Sequence, residues 1–284
     1  MTNDPVLITG CSTGIGRATA TRLARKGWTV YASARRPETI GDLHGCEALQ
    51  LDVTDESSMR AAVDHIEERH GSIGALVNNA GYGIHGAFET TDLDDARAQF
   101  ETNFFGMARL TQMALPGMRT AGRGRIINMS SMGGKITFPG GAFYHASKHA
   151  VEAMSDALRF EVGGFGIRVV VIEPGLIKTP FVDTAIGSVT HAPGPNDPYA
   201  KFNQDLMLRI EHAYRGRMSR LAASPPESVA RVIERALRSY RPRTRYIVTP
   251  GARVILVLRR LLPDRAFDAV VGSQYPRPRP PRAS

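Results

Sequence analysis

Short apolar segments alternate with longer amphipathic segments along the first 180 residues of the chain. Residues 6–9 are apolar and end at a glycine, and apolar residues then recur with helical spacing from 15 to 26. The same two patterns continue to residue 173. They predict strands at 29–34, 48–52, 75–78, 124–130 and 167–173, and helices at 56–70, 93–118 and 144–163. A further candidate strand lies at 246–249.

Several of these predicted strands are apolar along their length rather than alternating between apolar and polar residues. Strands that are covered on both faces have this pattern. Strands that alternate with helices need crossover connections, which favour a parallel sheet. We therefore predict an α/β fold with a single doubly wound parallel sheet and helices on both of its faces.

The domain organisation follows from where this alternation stops. We predict one domain over 1–250, with an insertion at 180–220 that follows the carboxyl end of a strand, where open α/β sheets bind ligands. Residues 251–274 are expected to form a C-terminal helical extension. The proline- and arginine-rich tail, 275–284, is expected to be disordered.

The charge of the chain is concentrated near its C-terminus. The formal net charge is +9, yet the first 208 residues are net acidic, because fourteen arginines and only four acidic residues lie in 209–265. We interpret this region as a solvated helix face and expect no nucleic-acid partner. Contact of the amphipathic segment 251–263 with an anionic membrane surface remains an alternative.

Other compositional features exclude several classes of protein. Two cysteines cannot form a disulfide framework, and the acidic residues and histidines show no metal-ligand spacing, so no metal is expected. The N-terminal segment has an acidic residue at Asp4 and lacks the regions of a secretory signal. The apolar segment 254–262 is too short to span a membrane. We therefore expect a cytoplasmic protein.

A glycine-rich turn follows the first predicted strand, in the sequence TGCSTGIG at 9–16. Glycines here let the backbone approach a pyrophosphate, and the N-terminus of the next helix offers free N–H groups to it. The spacing is G-x-x-x-G-x-G rather than the commoner G-x-G-x-x-G. Its position in an alternating chain predicts a dinucleotide site.

A second set of residues indicates proton chemistry. Tyr144 and Lys148 lie four residues apart in a predicted helix and therefore project from one face. A lysine cation beside a phenol favours the phenolate and lowers its pKa. Ser131 follows a predicted strand, and its hydroxyl is expected to face the same crevice at the carboxyl edge of the sheet.

Six motifs in this order and spacing resemble those of the short-chain dehydrogenase/reductase family. They are TGCSTGIG at 9–16, NNAG at 78–81, Asn103, Ser131, YHASK at 144–148 and PGLIKT at 174–179. The resemblance covers residues 4–180 densely and extends loosely to about 250. It is strongest to the branch that contains steroid and retinol dehydrogenases. It implies a Rossmann-type nucleotide-binding domain.

The resemblance also implies roles for individual residues. Tyr144 would be the acid/base, Lys148 would lower its pKa and hold the nicotinamide ribose, Ser131 would bind the substrate oxygen, and Asn103 would position a water in a proton relay. Asp52 would receive the adenine amino group. The expected cofactor-binding set is Gly10, Ser12, Thr13, Gly14, Ile15, Gly16, Arg35, Asp52, Val53, Asn79, Ala80, Gly81, Tyr144, Lys148, Pro174, Gly175, Ile177 and Thr179.

The choice of cofactor depends on the residues that follow the second predicted strand. An acidic residue there would bind the ribose hydroxyls of NAD, whereas an arginine suits the phosphate of NADP. This chain has Arg35 at that position and no carboxylate before Glu38. We therefore predict a preference for NADP(H) over NAD(H).

Together these residues predict hydride transfer between a nicotinamide and the carbonyl or secondary alcohol of a hydrophobic, steroid-, retinoid- or lipid-like substrate. The expected apolar lining comprises Phe138, Phe143, Phe181, Val182, Ile186, Phe202, Leu206, Met207 and Ile210. His191 lies in the same insertion and is a weaker candidate for substrate contact. The alternative is a dinucleotide-sensing protein without turnover. By resemblance, helices 94–118 and 147–163 would pair two copies, giving a homodimer or homotetramer.

Overall fold

The computed structural model describes residues 4–189, 197–215 and 223–275. Within them, seven parallel strands form one sheet in the spatial order β3-β2-β1-β4-β5-β6-β7. The strands are β1 (Val6–Ile8), β2 (Val30–Ala34), β3 (Cys46–Gln50), β4 (Ala75–Asn78), β5 (Gly124–Met129), β6 (Ile167–Glu173) and β7 (Arg245–Ile247). The order reverses between β1 and β4, which places a crevice at the carboxyl ends of those strands. The predicted doubly wound α/β fold is confirmed.

Helices cover both faces of the sheet. They are α1 (Gly14–Arg25), α2 (Glu56–His70), α3 (Leu93–Phe100), α4 (Gly106–Thr120), α5 (Ala142–Gly163), α6 (Phe181–Ser188), α7 (Ala200–Arg215), α8 (Pro226–Arg238), α9 (Pro250–Leu261) and α10 (Asp264–Gly272). The insertion expected at 180–220 contains α6 and α7. The expected C-terminal extension contains α9 and α10. Residues 276–284 of the predicted tail, and His191, lie outside the described residues.

Alternate residues of each strand enter two separate hydrophobic layers. Val6 and Ile8 of β1 pack in the layer that includes Leu23 of α1 and Ile233 of α8. Leu7, between them, packs in the opposite layer, which holds the buried residues of α2 and α4. Both faces of β1 are therefore buried, which explains why this strand shows no polar alternation.

Most predicted elements match the observed ones to within two residues, and one helix differs in kind. The continuous helix predicted at 93–118 is divided by a π-helical turn, Glu101–Phe105, between α3 and α4. The apolar spacing continues through the turn, so the pattern alone predicts one helix. Turns of this type often occur at functional sites, and this one contains Asn103.

Candidate active site

A cavity of about 1150 Å³ opens at the carboxyl ends of the strands. Nearly all of the predicted site residues line it. Those that do are Gly10, Ser12, Thr13, Gly14, Ile15, Arg35, Asp52, Val53, Asn79, Ala80, Gly81, Ser131, Tyr144, Lys148, Pro174, Gly175, Ile177 and Thr179. Gly16 and Asn103 lie behind the cavity wall. The fold thus brings residues from six strand ends into a single crevice.

The glycine-rich turn has the geometry that a phosphate group requires. Gly10 and Gly14 have φ values of 71° and 57°, in the left-handed region that glycine tolerates. Thr13 makes no side-chain cap to α1, and the first turn of α1 has no acidic residue. The N–H groups at the start of this helix therefore have neither a side-chain acceptor nor a nearby carboxylate competing for them. The residues present fit a dinucleotide.

Gly16 has a packing role directly beneath this turn. A Cβ atom at this position would lie 2.3 Å from the carbonyl oxygen of Gly10 and 2.6 Å from Nδ2 of Asn79. Only glycine allows α1 to approach the turn this closely. Gly16 therefore shapes the cavity without lining it.

Asn79 connects the end of β4 to the glycine-rich turn. Its Nδ2 donates to the carbonyl oxygen of Thr9 at 2.8 Å, and its backbone N–H and that of Ala80 both donate to Thr9 Oγ1 at 2.9 Å. These bonds fix the two loops relative to each other. The side chain of Asn79 thus holds the cavity wall in place.

Arg35 and Asp52 lie at the end of the cavity formed by β2 and by the loop after β3. Arg35 is exposed, and no carboxylate pairs with it among the described residues. Asp52 Oδ1 accepts hydrogen bonds from the backbone N–H and the hydroxyl of Thr54, at 2.9 and 2.8 Å. The guanidinium group is thus available to an anion at this end.

Ser131, Tyr144 and Lys148 meet where β5 ends and α5 begins. The Ser131 hydroxyl accepts a hydrogen bond from the backbone N–H of Gly133 at 3.0 Å. Lys148 Nζ donates to the carbonyl oxygen of Met129 at 2.9 Å and lies 6.0 Å from the centroid of the Tyr144 ring. The shared helical face expected from the four-residue spacing therefore directs both side chains into the cavity.

Burial determines the proton states of these groups. It raises the pKa of Tyr144, and the nearby hydroxyl of Ser131 opposes that rise. Burial also lowers the pKa of Lys148 to about 8, against the attraction of Glu152 one turn away. We expected Lys148 to lower the pKa of Tyr144, but desolvation of the phenol is the dominant influence. At neutral pH the site therefore holds a protonated phenol beside a largely protonated amine.

Asn103 is completely buried in the π-helical turn. Its Nδ2 donates to the carbonyl oxygen of Tyr82 at 2.8 Å and to Ser147 Oγ at 3.1 Å, and its Oδ1 accepts from the Tyr82 N–H at 3.0 Å. Both amide protons are therefore used within the protein, whereas Oδ1 accepts one bond and keeps a second lone pair. That Asn103 positions a water stays a prediction.

The expected apolar lining is only partly correct. Phe138, Phe181, Leu206 and Ile210 line the cavity. The other five do not: Val182 and Phe202 are buried in the protein interior, Phe143 stacks on Phe88, and Ile186 and Met207 lie elsewhere on α6 and α7. Apolar residues at helical spacing can face either the core or a cavity, so the sequence does not separate the two.

Sequence reasoning missed His85, which lines the cavity beside Tyr144 with ring centroids 5.8 Å apart. Burial, together with His145, lowers the pKa of His85 to about 4, so its imidazole is neutral at physiological pH. Its position in the loop after β4, at the carboxyl edge of the sheet, could have indicated from the sequence that His85 lies near the site. His145, which follows Tyr144 in the sequence, is buried and also borders the cavity.

The C-terminal extension covers part of the cavity. Ala252 and Ile255 of α9 line it, whereas Val254, Val257 and Leu261 of the same helix are exposed. In the part of the chain that the structure describes, no helix has the length and apolar character needed to cross a bilayer. Across the same residues, no group of His, Cys, Asp or Glu is arranged to hold a metal ion.

A doubly wound sheet with a dinucleotide-sized crevice and a Ser-Tyr-Lys cluster defines the class of nucleotide-dependent oxidoreductases. Residues 4–187 match the family model described as short chain dehydrogenase. The chain belongs to the short-chain dehydrogenase/reductase family, and it is an oxidoreductase that acts on CH–OH groups.

Similar proteins extend this likeness over nearly the whole chain. The uncharacterized oxidoreductase YbbO of Escherichia coli K12 is 37% identical over 269 residues, covering 94% of this chain and 93% of that protein. The 3-ketodihydrosphingosine reductase of Bacteroides thetaiotaomicron is 43% identical over 196 residues, 69% of this chain and 71% of that one. A crystal structure of a short-chain dehydrogenase from Streptomyces avermitilis superposes with a TM-score of 0.77 at 31% identity, covering 95% and 96% of the two chains.

Proposed function

We propose that this protein transfers a hydride between NADP(H) and the carbonyl or secondary alcohol carbon of a hydrophobic substrate. The observation that carries the proposal is the convergence of Ser131, Tyr144 and Lys148 in the same cavity as the glycine-rich turn. The side chains that would transfer the proton therefore lie next to the site that would bind the dinucleotide, as hydride transfer to the same substrate requires.

The chain's own residues would manage the substrate oxygen and its proton. Ser131 and Tyr144 would hold the oxygen by hydrogen bonds. During carbonyl reduction Tyr144 donates its proton to that oxygen, and during alcohol oxidation the phenolate takes the proton back. The Lys148 ammonium would stabilise the phenolate, which is left after the reduction and acts as the base in the oxidation. When bound, NADP(H) supplies or accepts the hydride.

The residues proposed to hold the cofactor follow the length of the crevice. The glycine-rich turn and the start of α1 would bind the pyrophosphate. Asp52 would receive the adenine amino group, the segment from Asn79 to Gly81 would lie against the ribose, and Ile177 and Thr179 would hold the carboxamide. All of these residues except Thr9, Cys11 and Gly16 of the turn line the cavity.

The preference for NADP(H) rests on Arg35. It is exposed at the adenosine end of the cavity and pairs with no carboxylate among the described residues. A guanidinium group forms charge-assisted, bidentate contacts with a phosphate. Nothing else in the loop after β2 offers a carboxylate to the ribose hydroxyls of NAD before Glu38.

The hydrophobic substrate is supported by the opposite end of the cavity. Phe138, Phe181, Leu206 and Ile210 contribute apolar surface there. The similarity to a protein named 3-ketodihydrosphingosine reductase supports the same substrate class. Apolar surface of this kind binds a lipid-like ketone or alcohol mainly through its removal from water.

The test is a panel of hydrophobic ketones and alcohols, assayed with NADPH and NADH, for the unmodified protein and for Tyr144→Phe. The substitution keeps the ring and removes the proton. It should lower kcat by about a hundredfold or more, while dinucleotide affinity measured by calorimetry changes less than about threefold. Dinucleotide binding without turnover on the whole panel would favour the sensing protein instead.

A further inference from the structure

One helix that lines the substrate end of the cavity places a charged residue among apolar ones. The residues of α7 that border the cavity are Leu206, Arg209, Ile210, Ala213 and Tyr214. Their spacing of three, four, seven and eight residues defines a single helical face. Arg209 is half-buried on this face, so part of its hydration is lost, and an anion in the cavity would compensate for that loss.

The two side chains that contact Arg209 are neutral. Arg209 Nη2 donates to Gln274 Oε1 at 3.0 Å, and the guanidinium carbon lies 4.7 Å from the centroid of the Tyr275 ring. Across residues 4–189, 197–215 and 223–275, no carboxylate lies within ion-pair distance of Arg209. The acidic residues that line the cavity, Asp52 and Glu101, do not belong to α7 or to the C-terminal segment.

The C-terminal segment holds Arg209 in a defined orientation without neutralising it. Tyr275 stacks on Phe138 with ring centroids 5.7 Å apart and packs against the cluster that contains Leu206. Both Gln274 and Tyr275 line the cavity. The guanidinium group therefore has a carbonyl acceptor on one side and an aromatic face on the other, which leaves donors free for a ligand.

A second phenol, that of Tyr214, also lines the cavity. Burial raises the pKa of Tyr214, and the nearby Tyr144 and Tyr275 raise it further. Its hydroxyl has no hydrogen-bond partner among the described residues. Ring contacts connect the two ends of the cavity: the centroids of Tyr144 and His145 lie 5.5 Å apart and those of His145 and Phe138 lie 5.7 Å apart. Phe138 in turn stacks on Tyr275, the ring that Arg209 contacts.

We propose that the substrate is an anionic amphiphile: a ketone or alcohol whose apolar chain ends in a carboxylate, which Arg209 binds at the end of the cavity remote from Tyr144. This inference rests on the proposed function, since it assigns the substrate class of the same site. The carboxylate supplies the negative charge that the neutral surroundings of Arg209 lack, and the apolar lining covers the chain between the two ends.

The test measures binding separately from turnover. Dodecanoate and its methyl ester, which have no ketone, are titrated by calorimetry into the full-length protein saturated with NADP⁺. The carboxylate should bind about ten- to a hundredfold more tightly than the ester. Arg209→Gln should reduce that ratio to about one, and Arg209→Lys should restore part of it. A matched substitution, Arg260→Gln on the exposed face of α9, should leave the ratio unchanged.

Two results would overturn the inference. If Arg209→Gln weakens the carboxylate and the ester by the same factor, Arg209 only anchors the C-terminal segment. If the unmodified protein shows no preference for the carboxylate, the substrate is neutral. Kinetics with a long-chain keto acid and its methyl ester separate the two proposals. Turnover of both compounds at equal kcat/KM would refute this inference alone. Turnover of neither compound, with normal NADP⁺ binding, would refute the proposed function.

Discussion

The ionisation of Lys148 is the residue-scale property that should control how the free protein captures its dinucleotide. Burial lowers the pKa of Lys148 to about 8, so its positive charge is present below that pH and is lost above it. The value of kcat/KM for NADPH reports groups of the free enzyme. It should be constant up to about pH 8 and fall about tenfold per pH unit above that value. A stopped-time assay from pH 6 to 10 measures this.

Lys148→Arg is the control for that profile, because a guanidinium group keeps its charge throughout the range. Whatever its absolute rate, this variant should lose the decrease above pH 8. A profile for the unmodified protein that stays level to pH 10 would contradict the assignment of a charged amine at this position.

Arg35 makes a second prediction about a single residue. Arg35→Gln should lower the ratio of kcat/KM for NADPH to that for NADH by about ten- to a hundredfold, because a charge-assisted contact to the phosphate is lost. Arg36→Gln is the matched control, since Arg36 is also exposed but does not line the cavity. A larger kcat/KM for NADH in the unmodified protein would refute this role of Arg35.

The sequence could locate those site residues whose relative positions are fixed within a single helix or at the end of a single strand. Tyr144 and Lys148 share a helical face, and Ser131 follows a buried strand, so the sequence alone could place all three at the carboxyl edge of the sheet. His85, Arg209 and Tyr275 lie in a loop, an insertion helix and the C-terminal segment. Their presence in one cavity depends on how these parts pack on one another, which no local pattern encodes.

At the scale of elements, an ion cluster connects β7 to α5. Arg245 Nε lies 2.9 Å from a Glu152 carboxylate oxygen and 3.3 Å from one of Glu173, and its Nη2 lies 2.6 Å from Asp156. The side chains of Glu152 and Glu173 are only 4% and 2% exposed. Burial and the neighbouring Glu152 raise the pKa of Glu173. Lys135 Nζ lies 2.9 Å from the same Glu152 oxygen that Arg245 Nε contacts.

Arg245→Met should therefore lower the free energy of unfolding by about 3–5 kcal/mol, because it leaves buried carboxylates without their main cation. The loss should be largest above pH 7 and should shrink towards pH 5, where the buried carboxyls take up protons in the folded state. Urea unfolding at both pH values measures the difference. Arg168→Met, at an exposed position of β6, should change stability by less than about 0.5 kcal/mol.

The apolar pattern predicts the bounds of edge strands less accurately than those of central strands. β3 lies at the edge of the sheet, and only part of it is shielded from solvent, so the prediction placed this strand two residues late. β7 is likewise an edge strand of three half-buried residues. The central strands were placed accurately because burial on both faces gives an uninterrupted apolar signal.

For the whole molecule, an exposed apolar stripe on α5 is the surface where we expect a second copy to bind. The face of α5 that points away from the sheet has exposed residues Ala146, Ala153, Ala157 and Phe160, and Phe160 is 85% exposed. Spacings of seven, four and three residues place them on one stripe. Phe105, at the end of the π-helical turn, is also 52% exposed. Small residues beside large apolar ones permit two such helices to pack closely.

Self-association through this face is therefore the expected state, and Phe160→Glu should disrupt it, because a carboxylate would lose hydration in an apolar contact. Light scattering after size exclusion should give a multiple of 30.9 kDa for the unmodified protein and a value near 30.9 kDa for the variant. Leu261→Glu is the control, since Leu261 is a large exposed apolar residue on α9, away from α5. If Leu261→Glu yields the monomer and Phe160→Glu does not, the copies meet through the C-terminal helices, and the cavity that α9 lines would then lie next to the interface.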